Sequence, residues 1–182
     1  MKTYVEPSRQ LPVSRDVDVI VVGGGPSGLA AAIASARVGA KTTLIEQFGY
    51  LGGTATASLM ACINGFRNQV EPDAMQMVRG VAEEIVLRLK AMDGLGKSPY
   101  PQKPYPTLPG QLEYSYAIDT EKFKYVTMKL CVEAGVDLLL HTYFCDSIVE
   151  DGIIKGVIVE NKSGRQALFA RIVVDASGDG DV

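Results

Sequence analysis

No stretch of the sequence reaches the roughly 18 uncharged apolar residues that a membrane-spanning helix needs. The most apolar candidate, Val19 to Ala36, is interrupted by Gly23, Gly24, Gly25 and Pro26, so no membrane span is expected. The segment before it carries Lys2, Glu6, Arg9, Arg15 and Asp16 and lacks the compact apolar core and small-residue cleavage site of a secretory signal. Charge of one sign is also scarce, with 18 Lys and Arg against 21 Asp and Glu and a formal charge of −3. Without a broad positive field the chain has no electrostatic handle for nucleic acid or an anionic lipid surface. Cys62, Cys131 and Cys145 form neither an even framework nor a Cys-x-x-Cys pair, which argues against a disulfide scaffold and against a structural zinc or iron–sulfur site. The expectation is a cytoplasmic protein with unbridged thiols and no metal. Its one histidine, His141, falls at a strand end and reads as a structural residue rather than a catalytic one. Internal repeats and low-complexity tracts are absent.

Glycine, by contrast, is plentiful at 19 residues. It gathers at 23–28, 49–53 and 178–180, where backbone can come close to a ligand. Val17 to Val22 is a β-branched run that stops at three glycines, as a buried parallel strand does. Pro26 suits a first helical turn, and Leu29, Ala32, Ile33 and Ala36 recur at helical spacing until Gly39 offers a stop. Lys41 to Glu46 then reads as a second strand. Strand, helix and strand within about 30 residues make one βαβ unit, whose strands lie parallel and adjacent.

At the first turn, Gly23 permits the tight bend, Gly25 lets backbone approach a pyrophosphate, and Gly28 lets the helix pack closely on the strands. Phosphate oxygens would be held by unsatisfied N–H groups and by the helix dipole, the latter contributing about 0.3–2 kcal/mol. Glu46, closing the second strand, can accept both hydroxyls of an adenosine ribose and would repel a 2′-phosphate. That leaves FAD and NAD as ligands and disfavours NADP. Arginine at position 46 is expected to weaken binding strongly while leaving the fold intact.

Residues 1–15 show no period and read as an N-terminal arm; residues 16–182 form the dinucleotide-binding domain. Met75, Val78, Ala82, Ile85 and Leu89 predict an amphipathic helix between Glu71 and Met92, with Glu84 and Arg88 paired on its polar side. Five prolines between 94 and 110 cannot continue a helix or a central strand, so this stretch reads as an ordered excursion or a flexible lid. Asp119 can cap a helix that ends before Gly135. The run Val136 to His141 follows as a strand. Asp151-Gly152 and Ser163-Gly164 mark hairpins between short strand-like runs, so residues 146–170 form a small antiparallel meander. Arg171 to Asp175 reads as a last buried strand.

The run Asp18-Val-Ile-Val-Val-Gly-Gly-Gly-Pro-Ser-Gly-Leu-Ala-Ala-Ala through Leu44-Ile-Glu46 resembles the FAD-binding fingerprint of two-dinucleotide-binding-domain flavoproteins. Gly49-Tyr-Leu-Gly-Gly-Thr54 is similar to their second glycine pair, which approaches the FAD pyrophosphate and ribitol. Val174-Asp-Ala-Ser-Gly-Asp resembles their later Ala-Thr-Gly motif, with Ser177 in place of the usual Thr. The nearest resemblance is to the FAD-dependent oxidoreductase family, whose relatives include fumarate-reductase-like flavoproteins and heterodisulfide-reductase-type flavin subunits. It spans most of residues 16–182. It implies an α/β, Rossmann-like FAD-binding domain with a parallel central sheet. It also implies a strand, Gly135 to Phe144, whose last residue offers backbone to adenine.

The cofactor contacts implied by turn and resemblance together begin with Gly23, Gly25, Pro26, Ser27 and Gly28 at the phosphates, with Glu46 and Gln47 at the ribose. Gly52, Gly53 and Thr54 lie nearer the flavin, Phe144 at adenine, and Ala176, Ser177 and Gly178 close over the cofactor. No Cys-x-x-x-x-Cys follows Gly53, so a thiol relay is not expected and the flavin would act directly on a small-molecule substrate or electron donor. His141 lies far from where fumarate-reductase relatives attach FAD covalently, which implies noncovalent FAD. Asp179 and Asp181 could reach the ribitol or cap a following helix. The family continues past this point into a substrate domain, so the chain reads as an N-terminal portion with its catalytic residues unassigned and oligomerisation left open. An NAD-dependent dehydrogenase and a non-catalytic dinucleotide-binding fragment stand as alternatives.

Overall fold

The computed structural model describes residues 2–68, 75–97 and 112–182. Its elements are β1 (Val13–Val22), α1 (Pro26–Arg37), β2 (Thr42–Ile45), a 3-10 turn over Gly53–Ala55, β3 (Cys62–Asn64), α2 (Val81–Ala91), β4 (Leu95–Gly96), β5 (Ser115–Ile118), α3 (Thr120–Ala134), β6 (Asp137–Leu139), β7 (Tyr143–Glu150), β8 (Ile153–Asn161) and β9 (Gly164–Asp175). The result is α/β. A six-stranded sheet has the order β6-β2-β1-β9-β8-β7, and a smaller one the order β3-β5-β4.

Val19, Ile20, Val21 and Val22 are all buried, which is possible for four consecutive residues only when both faces of the strand are covered. Alternation divides them. Val19 and Val21 pack with Leu29, Ile33, Leu44 and Leu130 on the helical face, whereas Ile20, Val22 and Ile45 pack with Val157, Val159 and Leu168 of the meander. β1 is parallel to β2 and to β9, and β2 is parallel to β6. The antiparallel meander joins the same sheet, because β9 pairs with β8 through residues 164–169 and with β1 from Ala167 to Asp175.

Local signals place the helix ends. The Asp119 carboxylate accepts the N–H groups of Glu121 and Lys122 at 3.0 Å each, and the Lys122 amide above all holds that carboxyl below its usual range. Gly135 ends α3 in the left-handed region. Arg88 reaches Glu84 on its own helix at 2.8 Å and Glu133 of α3 at 2.7 Å, while Arg37 of α1 also holds Glu84. These partly exposed pairs align the three helices more than they stabilise them.

Several boundaries differ from expectation. β1 reaches back to Val13, whose neighbour Pro12 accepts the Ala167 N–H at 3.0 Å. α2 starts at Val81, because Met75 to Val78 run back along the chain instead: the Asn68 N–H donates to the Met75 carbonyl, and the Met77 and Val78 N–H groups donate to the Phe66 carbonyl. Gln166–Ala170 and Arg171–Asp175 form one strand, and its last part is not wholly buried, since Ile172 is 57% exposed. Of the proline-rich stretch, residues 98–110 lie outside the described residues; residues 94–97 include β4. No helix among the described residues is long and apolar enough to cross a membrane.

Leu130 is fully buried where α3 meets the sheet. Leu130→Ala is expected to lower the free energy of unfolding by about 2–5 kcal/mol, read by urea denaturation followed by circular dichroism; a loss within error of zero would contradict this packing.

Candidate cofactor site

β2 and β6 lie on one side of β1 and β9 on the other, and β1, β2 and β9 run parallel and end at one edge of the sheet. Open parallel sheets take ligands in a crevice outside the carboxyl ends of their strands. Here the crevice is a cleft of about 470 Å³.

Its floor is main chain. Gly23 has φ +103°, its N–H donates to the Ile45 carbonyl at 2.8 Å, and the Ala176 N–H donates to the Val22 carbonyl at 2.9 Å. A methyl group on Gly23 would overlap the Ala176 carbonyl oxygen, and one on Gly28 would overlap the Gly23 carbonyl oxygen. Gly25 differs: the nearest heavy atom to a methyl there is the Gly53 Cα, at 4.0 Å. Of the three glycines, then, only Gly25 leaves open space where a side chain would stand. Gly25 is also the N-cap of α1, without a side-chain cap and without an acidic residue in the first turn. The first amides of α1 therefore keep their donor capacity and their partial positive charge for an anion in the cleft.

Glu46 is 6% exposed. Its Oε2 accepts the Gly24 N–H at 2.8 Å and its Oε1 accepts the Phe48 N–H at 2.8 Å. Each oxygen retains a second lone pair, so the carboxylate is oriented by backbone and can still accept from a ligand. Arginine cannot occupy this buried, doubly bonded position without disturbing the turn, which corrects the expectation that the fold would survive it. The loop after Glu46 is braced by His141: its N–H donates to the Phe48 carbonyl at 3.1 Å, its φ is +50°, and a methyl on Gly49 would strike its imidazole.

The second glycine pair docks on the first. Gly52, at φ +118°, donates its N–H to the Gly24 carbonyl at 2.8 Å, and a methyl on Gly53 would stand 2.8 Å from the Gly25 Cα. The closing turn is tied by Asp175, whose Oδ1 accepts the Ser177 hydroxyl at 2.7 Å and the Ser177 N–H at 3.0 Å. Ser177 Oγ in turn accepts the N–H groups of Gly180 and Asp181, both at 3.1 Å. The Ser177 hydroxyl, then its amide, hold the Asp175 carboxyl below its usual range.

Of the residues singled out by sequence, Gly23, Gly25, Pro26, Ser27, Glu46 and Gln47 border the cleft, as do Gly53, Thr54, Phe144, Ala176, Ser177 and Gly178. Gly28 and Gly52 lie behind this wall and shape it through the contacts above. Phe144 is not the end of the strand that follows Gly135; that strand stops at Leu139, and Phe144 is the second residue of β7. Sequence reasoning missed Phe48, Ser58, Thr142 and Tyr143, which also face the cleft, since no local pattern marks them. Asp181 borders the cleft too. Phe48 stacks on Tyr50 at 5.5 Å, and the Lys124 ammonium lies 4.1 Å from the Tyr50 ring centroid. Among the described residues no cluster of His, Cys, Asp and Glu could hold a metal ion, and burial pushes the Cys131 thiol up to about 12, which makes it inert at neutral pH.

Comparison with known proteins follows the same outline. A family model described as FAD dependent oxidoreductase matches residues 18–182. Thiamine thiazole synthase of Methanococcus vannielii is 28% identical over 172 residues, covering 90% of this chain and 56% of that protein. Digeranylgeranylglycerophospholipid reductase of Methanospirillum hungatei is 28% identical over 168 residues, covering 91% of this chain and 39% of that protein. The chain thus spans about half or less of these curated relatives. Among solved structures, a geranylgeranyl bacteriochlorophyll reductase-like protein of Thermoplasma acidophilum superposes with a TM-score of 0.57 at 22% identity, over 89% of this chain and 39% of that one. This last likeness concerns the fold alone.

Two outcomes are expected from this geometry. Gly28→Ala should lower the melting temperature markedly whereas Gly25→Ala should leave it close to that of the parent, and equal losses in differential scanning fluorimetry would contradict the assignment. The Asp175 bonds should persist above the ordinary carboxyl range near 3.8 and disappear as pH falls through the lowered folded-state value. The Ser177 amide resonance should follow that titration, and Asp175→Asn should abolish it.

Proposed function

We infer that the chain, which belongs to the FAD dependent oxidoreductase family, is the cofactor-holding portion of an enzyme that oxidises or reduces a small molecule, or takes electrons from a donor, directly at a noncovalently held FAD. The observation that carries this reading is the bare cradle at Gly25, beside a helix start with no capping side chain. Such a place suits a pyrophosphate, because two linked phosphates need several N–H donors and no intervening Cβ. The donor set fits the cofactor.

The backbone from Gly23 to Gly28 would bind the pyrophosphate, with the amides of Gly25 and Ser27, which border the cleft, donating and Gly28 letting the turn close behind them. Glu46, already oriented by the Gly24 and Phe48 amides, would accept from the adenosine ribose, with Gln47 beside it. The Phe144 backbone would border adenine. Gly53 and Thr54 from one side, and Ala176 to Gly178 from the other, would hold the part of the cofactor nearer the flavin and keep water from it. What bound FAD supplies is reversible uptake of a hydride or of single electrons. No pair of cysteines borders the cleft, in keeping with a reaction without a disulfide relay. We place the enzyme in the cytoplasm, where Cys62, Cys131 and Cys145 stay reduced.

Purification with FAD in the buffer, followed by desalting, is expected to leave visible flavin absorbance on the protein; a colourless protein that takes up NAD in its place would overturn the assignment. Gly25→Ala is expected to weaken FAD roughly tenfold or more. Glu46→Gln removes the charge from one ribose contact of about 1.5–3 kcal/mol and should weaken FAD by roughly ten- to a hundredfold. Both are read by flavin fluorescence quenching, and an unchanged dissociation constant in either removes that residue from the site.

A further inference from the structure

Beside the dinucleotide cleft, and sharing Pro26 and Thr54 with it, lies a second cavity of about 270 Å³. Its floor is core: Leu29, Phe66, Phe123 and Ile85, each no more than 7% exposed. Met60, Cys62, Ala30 of α1 and Ala82 of α2 also line it. Among the described residues no charged side chain contributes to the wall, and the polar ones are Thr54, Cys62 and Asn64. The space opens to solvent beside Ala30, Met60 and Asn64, which are exposed, while water at its apolar floor finds few hydrogen-bond partners.

The loop joining the two spaces is shaped to serve both. Ala57 and Ser58 face the cleft, and Met60 faces the cavity. Between them Leu59 bends the chain with φ +57°, a conformation that costs a branched side chain energy and that persists only where its surroundings impose it. Met60, half-exposed, is an unbranched thioether that adjusts to irregular ligand shapes. A peptide segment is a poor occupant, because its amides would meet almost no acceptors here. Among the described residues an ion finds no countercharge here.

We propose that this cavity is a binding site for a small, uncharged, hydrocarbon-rich molecule of two- or three-ring size. Because its wall shares Pro26 and Thr54 with the dinucleotide cleft, the molecule would be seated next to the cofactor space, yet its binding depends on the apolar wall and not on FAD.

The test is titration of the 182-residue chain with N-phenyl-1-naphthylamine, an uncharged dye that brightens in apolar surroundings, with and without FAD. Saturable one-to-one binding is expected. Ala30→Trp, which fills the cavity from an exposed helix position, should weaken the dye at least tenfold, whereas Val132→Trp on the outer side of α3 should not. Should Ala30→Trp fail to fold by circular dichroism, Ala82→Trp takes its place. In Cys145→Ser protein the dye should also slow modification of Cys62 by a thiol reagent. Absence of saturation, or equal affinity in the filled variants, would overturn the proposal, as would an unprotected Cys62. Unchanged dye affinity in a protein that fails to take up FAD would sink the reading of the cleft and leave this one standing.

Discussion

Main chain meets main chain around Gly23, with no side chain between. The carbonyl of Gly23 is covered by the Cα of Gly28, its own Cα by the carbonyl of Ala176, and the Cα of Gly25 by Gly53. Everything at the carboxyl edge of the sheet depends on this contact. It brings the start of α1, the second glycine pair and the end of β9 within reach of one another. A methyl at Gly23 or Gly28 would force backbone apart, because what it would meet is a main-chain carbonyl, of Ala176 or of Gly23, and not the flexible end of a side chain. Gly25 answers to a different demand, since what faces it is open cleft.

The polar groups of the site are arranged to orient one another. Glu46 is buried, and a buried carboxylate is costly unless hydrogen-bonded; two backbone amides meet that need and at the same time fix where its remaining lone pairs point. Asp175 and Ser177 do the same for the closing turn. His141 braces the loop after Glu46 by filling the space beside Gly49, which accounts for a lone histidine without assigning it chemistry.

The loop from Gly53 to Cys62 connects two environments of opposite character. On the cleft side it presents backbone and small polar residues to a helix terminus, and on the other side a thioether and a thiol to a carbon-lined cavity. Polar and apolar recognition thus sit back to back on one short segment, with Pro26 and Thr54 common to both.

Features that depend on neighbours in the chain were legible from the residues alone. The βαβ unit follows from a β-branched run, three glycines and a helical stripe. The capped ends of α3 follow from Asp119 and Gly135, and the first hairpin from Asp151 and Gly152, both at positive φ. Glycine spacing likewise marked most of the cleft. Tertiary structure decided the rest. Met75 to Val78 leave the helix because Phe66 and Asn68 pair with them, and Phe144 belongs to the next strand because the chain turns at His141. Thr142 and Tyr143 reach the cleft because the chain after β6 pairs back with β2's end, the Thr142 N–H donating to the Glu46 carbonyl, and Asp181 because the end of β9 lies beside the end of β1. The reason is context: propensity and spacing describe a residue's own helix or strand, whereas these positions are set by hydrogen bonds and packing against other segments, from Asn68 with Met75 to β1 with β9, which only the folded chain brings together.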